Sequence, residues 1–434
     1  MVIIYSKNIN SRLNYILKLI FTDVLKIDFS ITNDHVLFLS DIRIKINYSD
    51  SIFKDVLQII PSGLLDENRI HLVHVKTGEW QSIPVIFANE NQLFPFDIFS
   101  AVFYMVTRYE EYLPFIPDKH GRFEVDQSLA FRKKFVRFPV VDLWCKLLAE
   151  KLNIFENCKG IQPSNFRFRL TVDVDRAWQY KNSSLFRNIL ILLRDLILFR
   201  FEFFKYRLSV LSGRKPDPAD TFEYLNDIQK RLKEKIRYFI LCGEPGNFDD
   251  NTPSDRKEFR DLINQLNLQS LIGLHPSYQS NDSLGAIGSE LSHLEKLVKQ
   301  KIFHSRQHFL KISFPVTYRR LIKLGILHDF SMGYSNCTGF RAGISRPFFF
   351  YDLAAEKQTD LRIIPFQVMD RTLLSYMKLN PEEALKEIKY YFEIISGVGG
   401  YFVTLWHNSS LSDQGEWKGW KEVFEKMIEL SSTI

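Results

Sequence analysis

A chain of 434 residues is too long for one ordinary core, and domain-size priors divide it into two or three units. Its 45% apolar and 25% charged residues are those of a soluble globular protein, and a net charge of +6 with Lys and Arg spread along the sequence argues against a dedicated nucleic-acid binder. Four cysteines, Cys145, Cys158, Cys242 and Cys337, lie far apart without a CxxC pair, which excludes a disulfide framework or zinc knuckle and fits a reducing compartment.

In chain order, the first segment, MVIIYSKNINSRLNYILKLIF, has charges interrupting its apolar positions and lacks the apolar core and small-residue cleavage site of a signal peptide. No run reaches the roughly 20 uncharged apolar residues of a membrane span, so a cytoplasmic location is expected. Residues 1–160 read as a smaller mixed α/β domain. Its β-rich runs are HVLFLS (35–40) and IPVIFAN, followed by a helix-patterned segment at 96–113, a polar turn DKHGRF (118–123) and a second helix from VVDLWCKLLAEKL (140–152). The loop NCKGIQPSN closes this domain. With 38 Phe, 18 Tyr and 6 Trp the chain is rich in aromatic side chains, which suit aromatic cores and sugar-stacking surfaces.

From residue 165 onward short apolar runs recur between helical patterns: 168–174, 236–243, 271–277, 302–310, 325–334, 361–370 and 401–408. Strand and helix in alternation mark a parallel α/β sheet, and seven such runs point to a (β/α) barrel. A helical insertion at about 181–215 interrupts the pattern. Its core, 185–209, is read as one aromatic and aliphatic helix with Arg187, Arg194 and Lys205 near heptad spacing, suited to lying on a membrane surface, covering a cleft or packing on the barrel.

The polar residues of these runs fall at their carboxyl ends: Asp173 and Asp175, His275, Arg306 and His308, Asp329, Asp370 and His407. In a parallel barrel those ends converge on the face that carries active sites. Asp173 and Asp175, at i and i+2 on a strand, point the same way. Two close carboxylates stay ionised together only when a cation neutralises one or an arginine supports the other. A divalent metal meets this condition, with one Asp as ligand and the other as base toward water. His275 and His308 are the natural nitrogen ligands, Arg306 holds the free carboxylate charged, and His407 is placed as the acid that protonates a leaving amine or alkoxide.

The order of these residues resembles the polysaccharide deacetylase family, the NodB-homology domain of carbohydrate esterase family 4, over residues 165–434. TVDVD resembles the family's opening aspartate motif, which implies Asp173 as base and Asp175 as metal ligand. GLHPSYQS is similar to the HSxxH motif, with His275 as its first histidine and Gln279 where the second would stand. SRQHFLKISFPVTYRRLIKLG is similar to the RPPYG-like motif: Arg306 matches the arginine that supports the base, and His308, where the family has proline, stands in for the nitrogen lost at Gln279. LWH resembles the closing motif and gives His407 as the acid, with Asp370 as the aspartate that tunes it and Asp329 in reserve. TRYEEYL, HGRF and FPVVD are similar to the domain that precedes the barrel in a subgroup of the family.

The resemblance implies an α/β chain whose distorted (β/α)7 barrel follows the smaller domain. It further implies a divalent metal, zinc in first place, and hydrolysis of an acetyl group from an N-acetylated sugar or sugar conjugate of cytoplasmic glycan or cell-envelope metabolism. Two other readings stand beside this one. The substitution at Gln279 suits a catalytically altered barrel that binds glycans or acts as a scaffold, and relatives acting on other C–N bonds suit a hydrolase of a non-sugar amide. Peripheral membrane contact through 185–209 is a further expectation; the oligomeric state is left open.

Overall fold

The computed structural model describes residues 1–89, 93–152, 166–183 and 185–432. The loop NCKGIQPSN, with Cys158 and the boundary expected at 160–165, lies outside the described residues, as does the side chain of Arg187. Cys145, Cys242 and Cys337 are free thiols.

The first 59 residues build a parallel four-stranded sheet from β1 (Val2–Ser6), β2 (Phe29–Thr32), β3 (Ile44–Tyr48) and β4 (Leu57–Ile59), in the spatial order β2-β1-β3-β4. Every residue of VIIYS in β1 is buried, as a central parallel strand requires. An antiparallel pair follows, β5 (Thr77–Trp80) and β6 (Ile83–Ile86). The helix expected over 96–113 runs from Ile98 to Val106, capped by the Asp97 carboxylate on Ser100 N at 3.1 Å. It stops where Arg108 turns into the left-handed region at φ 54°, and Tyr109–Tyr112 continue as a short 3-10 turn.

HVLFLS is a helix, His35–Ser40, and not the strand its composition suggested. Asp34 caps it, its carboxylate accepting from Val36 N at 2.8 Å and Leu37 N at 3.1 Å. A six-residue apolar run carries too little periodicity to separate strand from helix, so the capping acid decides.

The second sheet has nine strands: β7 (Arg167–Val174), β8 (Arg237–Ile240), β9 (Leu271–Leu274), β10 (His304–Ser305), β11 (His328–Asp329), β12 (Phe348–Asp352), β13 (Lys357–Ile363), β14 (Val368–Met369) and β15 (Tyr401–His407). Their order is β12-β13-β11-β10-β9-β8-β7-β15-β14, all neighbours parallel except β12 with β13. β13 and β14 lie toward opposite ends of this order, yet only residues 364–367 join them. Five peptide steps span at most about 18 Å, whereas eight parallel strands laid flat would separate them by about 34 Å. The sheet is therefore curled like a barrel wall. It does not close: among the described residues no ladder joins β14 to β12 or β13, and eight parallel strands stand where seven were expected.

The two parts share one contiguous apolar core, with Phe103 and Val140 in the same cluster as Val172 and Trp406. A buried ionic knot reinforces the junction. Glu111 accepts from Arg108 Nε at 2.7 Å and from Arg341 Nε and Nη2 at 2.9 and 2.6 Å, and Arg108 also donates to the Arg341 carbonyl. The insertion is two helices, Leu185–Ile197 and Phe201–Leu211, rather than one; Phe199, at φ 54°, makes the break.

Candidate functional site

The carboxyl ends of the curled sheet bring the polar residues together. β7 pairs with β15 so that Asp173 lies opposite His407, and with β8 on its other side. Asp175 follows β7, His275 follows β9, Arg306 follows β10 and Asp370 follows β14, so each side chain is set by the end of a strand.

Asp173 is nearly fully buried. Its Oδ1 accepts from Arg306 Nη1 at 2.7 Å, and Arg306 also donates to Thr171 Oγ1 at 2.8 Å and to the Phe330 carbonyl at 3.0 Å. The guanidinium lies 4.5 Å over the Phe239 ring. Every face of this buried cation is thus occupied, and its charge is directed at one carboxylate oxygen. The other, Oδ2, faces His275 Nε2 at 3.7 Å.

Asp175 is the centre of the cluster. Its Oδ1 lies 3.2 Å from His275 Nε2, and its Oδ2 lies 3.8 Å from His308 Nε2 and 3.7 Å from His407 Nε2. Burial opposes its ionisation, but His308, His275 and His407 outweigh burial and hold the carboxyl well below the usual carboxylate range. Burial likewise pushes the His275 imidazole down, and the charges of Asp173 and Asp175 more than reverse this.

The three residues fit a metal ion on three grounds. Asp175 Oδ1 is buried without a hydrogen-bond partner. His275 Nδ1 is held by the Arg306 carbonyl at 2.5 Å and His308 Nδ1 by Asp249 Oδ1 at 2.8 Å, so both rings present Nε2 lone pairs toward Asp175, the orientation that outer partners impose on ligating imidazoles. One ligand atom from each of Asp175, His275 and His308 lies within 4.8 Å of the others. Ligand atoms around an ion with bonds of about 2.0–2.1 Å sit roughly 3.3 Å apart in a tetrahedron, and two imidazoles with one carboxylate are donors suited to zinc.

Gln279, which occupies the expected place of a second histidine, is exposed, and its side chain packs over Gly246 rather than among the ligands. His308, not Gln279, is the side chain that stands beside Asp175 and His275. Asp249 was not foreseen: it lies in the loop after β8 and also accepts from Tyr278 N at 2.7 Å and Gln279 N at 3.2 Å. Its only sequence signal is an acid shortly after a strand, in GNFDDN.

Asp370 Oδ1 accepts from His407 Nδ1 at 2.9 Å, and its Oδ2 accepts from His407 N at 2.7 Å. Burial lowers the imidazole, but Asp370 first, then Asp175 and Asp173, raise it to about 9. Asp329 stands apart from this group, accepting from Ser305 Oγ and from Ser331 N and Oγ. The first part of the chain backs one residue of the cleft wall, Phe309: Arg122 Nη1 donates to its carbonyl at 2.8 Å, and the His120 ring lies 4.8 Å from its ring.

The family of unknown function DUF7033 matches residues 2–156, less than half of the chain. No curated protein matches the sequence. Among solved structures the chain is similar to a protein described as a polysaccharide deacetylase from Mycobacterium smegmatis, at 12% identity over 62% of this chain and 86% of that one, with a TM-score of 0.41. It is similar to the PuuE allantoinase at 10% identity over 64% and 87%, TM-score 0.41. It is also similar to a protein described as a polysaccharide deacetylase from Pseudomonas aeruginosa PAO1, at 10% identity over 63% and 86%, TM-score 0.40.

Proposed function

We propose that the chain is a metal-dependent hydrolase that removes the acetyl group from an N-acetylated sugar or sugar conjugate. The observation that carries this reading is the convergence on Asp175 of two imidazole Nε2 atoms whose Nδ1 atoms are tied back, beside an arginine-supported carboxylate and a carboxylate-supported histidine.

Asp175, His275 and His308 would hold a divalent ion, zinc in first place, which supplies polarisation of the acyl carbonyl and activation of water. Asp173, held in place by the Arg306 guanidinium, accepts a proton from the attacking water. His407, kept protonated by Asp370, gives its proton to the amide nitrogen as the C–N bond breaks, so acetate and a free amine leave together. Aromatic side chains on the cleft walls, Phe248 and Phe309, offer apolar surface to a sugar ring. The non-sugar amide remains within the same chemistry, since nothing in this machinery reads the group beyond the acyl nitrogen.

The test is release of acetate from N-acetylated sugars and from cyclic amides and ureides by protein loaded with zinc, nickel or cobalt. Metal-dependent acetate release from the sugars supports the reading. Metal-loaded protein that binds these sugars and hydrolyses none of the compounds would overturn it in favour of a glycan-binding barrel.

A further inference from the structure

The helical hairpin at 185–211 is built inside out. Its buried residues include Asn188, Asp195 and Arg207, while Phe186, Ile197, Phe199 and Phe203 are 71%, 72%, 79% and 63% exposed. Eleven of the twenty-nine large apolar side chains exposed among the described residues fall within residues 186–208, far denser than the scatter normal on a soluble surface. Polar contacts fasten the hairpin instead. Asn188 Nδ2 donates to the Tyr180 carbonyl at 3.2 Å, Arg207 Nε to Asp195 Oδ2 at 3.2 Å, and the Arg207 guanidinium lies 4.4 Å over the Tyr180 ring.

Charge is concentrated in the same place. Residues 185–215 hold seven Lys or Arg against two acids, an excess of five on a chain whose net charge is +6. Lys and Arg are spread along the whole chain, but elsewhere acids nearly balance them, so most of the net charge comes from this segment. Arg194 and Lys205 are exposed although Asp195 and Glu202 lie near them, and Arg200, Arg214 and Lys215 are exposed as well. No described helix is long and apolar enough to cross a membrane. An apolar face rimmed by cations on helices this short suits the headgroup and acyl boundary of an anionic bilayer.

The hairpin also borders the site. Phe203, Lys205, Tyr206 and Lys215 line the same cleft, about 980 Å³, as Asp175 and His308. We propose that the hairpin seats the protein on an anionic membrane surface with the mouth of this cleft at headgroup depth, so that the acetylated sugar it takes is carried on a lipid. The substrate class rests on the hydrolase reading above; the docking does not.

Flotation of the full chain with vesicles separates the two. Wild type is expected to float with phosphatidylcholine vesicles containing phosphatidylglycerol, to float far less with phosphatidylcholine alone, and to be released by salt. The double variant Ile197→Asp, Phe199→Asp is expected to partition at least about tenfold less while keeping wild-type turnover of short soluble N-acetylated sugars and losing its turnover of lipid-carried ones. Absence of wild-type flotation, or undiminished flotation of the variant, overturns the docking. Self-association of wild type that the variant abolishes, without flotation, assigns the face to a second copy and also overturns it. Equal turnover by wild type and variant on lipid-carried sugar overturns the substrate class. Flotation without hydrolysis of either sugar removes the hydrolase reading and leaves the docking standing.

Discussion

Asp249 Oδ1 sits 2.8 Å from His308 Nδ1, joining a loop after one strand to a turn 59 residues further on. The carboxylate fixes which nitrogen of the ring is free, and such outer partners change metal affinity by about 10–100-fold. Asp249→Asn is therefore expected to weaken zinc binding by about that factor, measured by competition with a chelator. Gln279→Ala, which alters an exposed side chain outside the cluster, should leave the affinity unchanged.

Arg306 and Asp173 form a buried pair, with side chains 0% and 4% exposed. Removing the cation alone strands a carboxylate in the interior, which typically costs about 3–5 kcal/mol. Arg306→Met should lower the unfolding free energy by that order in urea titrations. Asp173→Asn keeps the ligand set intact, so bound metal should persist while turnover falls by about 10²–10⁴.

His407 owes its elevated imidazole first to Asp370 among the groups that raise it. Proton donation requires the protonated ring, so the rate should fall on the alkaline side as that proton is lost. Asp370→Asn removes the strongest raising influence, and the alkaline limb of kcat should move to lower pH. A limb that stays in place while kcat falls would assign Asp370 a packing role only.

Asp329 is fully buried, and burial outweighs its serine and arginine partners to raise its carboxyl from 3.8 to about 6. The folded state therefore binds this proton more tightly than the unfolded chain. The stability it adds is present below about pH 4 and is lost as pH rises through about 6, amounting to about 3 kcal/mol. Asp329→Asn lacks this dependence, so the stability of wild type relative to the variant should fall by about that amount between about pH 4 and about pH 7. Paired urea titrations at the two pH values measure it.

The strand-end residues were legible because a parallel sheet turns position in sequence into position in space. Once the apolar runs were placed, Asp173, Asp175, His275, Arg306, Asp370 and His407 had to share one face. Spacing could not show Asp249, because nothing local relates a loop acid to a ring on another strand. The second nitrogen is legible only through the pairing of two motifs: Gln279 holds the family's position along the chain, and His308, read as its stand-in, lies beside Asp175 and His275. HVLFLS and the 185–209 run failed for a different reason. Both are apolar, and one cap or one left-handed residue decides their local structure against the tendency of the whole run.

Strands β7 and β15 lie side by side over seven paired positions although Arg167 and Tyr401 are separated by most of the second part of the chain. A nascent chain that has emerged only as far as residue 400 presents β7 with one edge unpaired, and the proposed base has no acid beside it. β15, the last described strand along the chain, inserts between β7 and the edge strand β14. Competence for chemistry therefore arrives late and all at once in biosynthesis, and a fragment ending before Tyr401 should expose a sticky edge rather than retain partial activity.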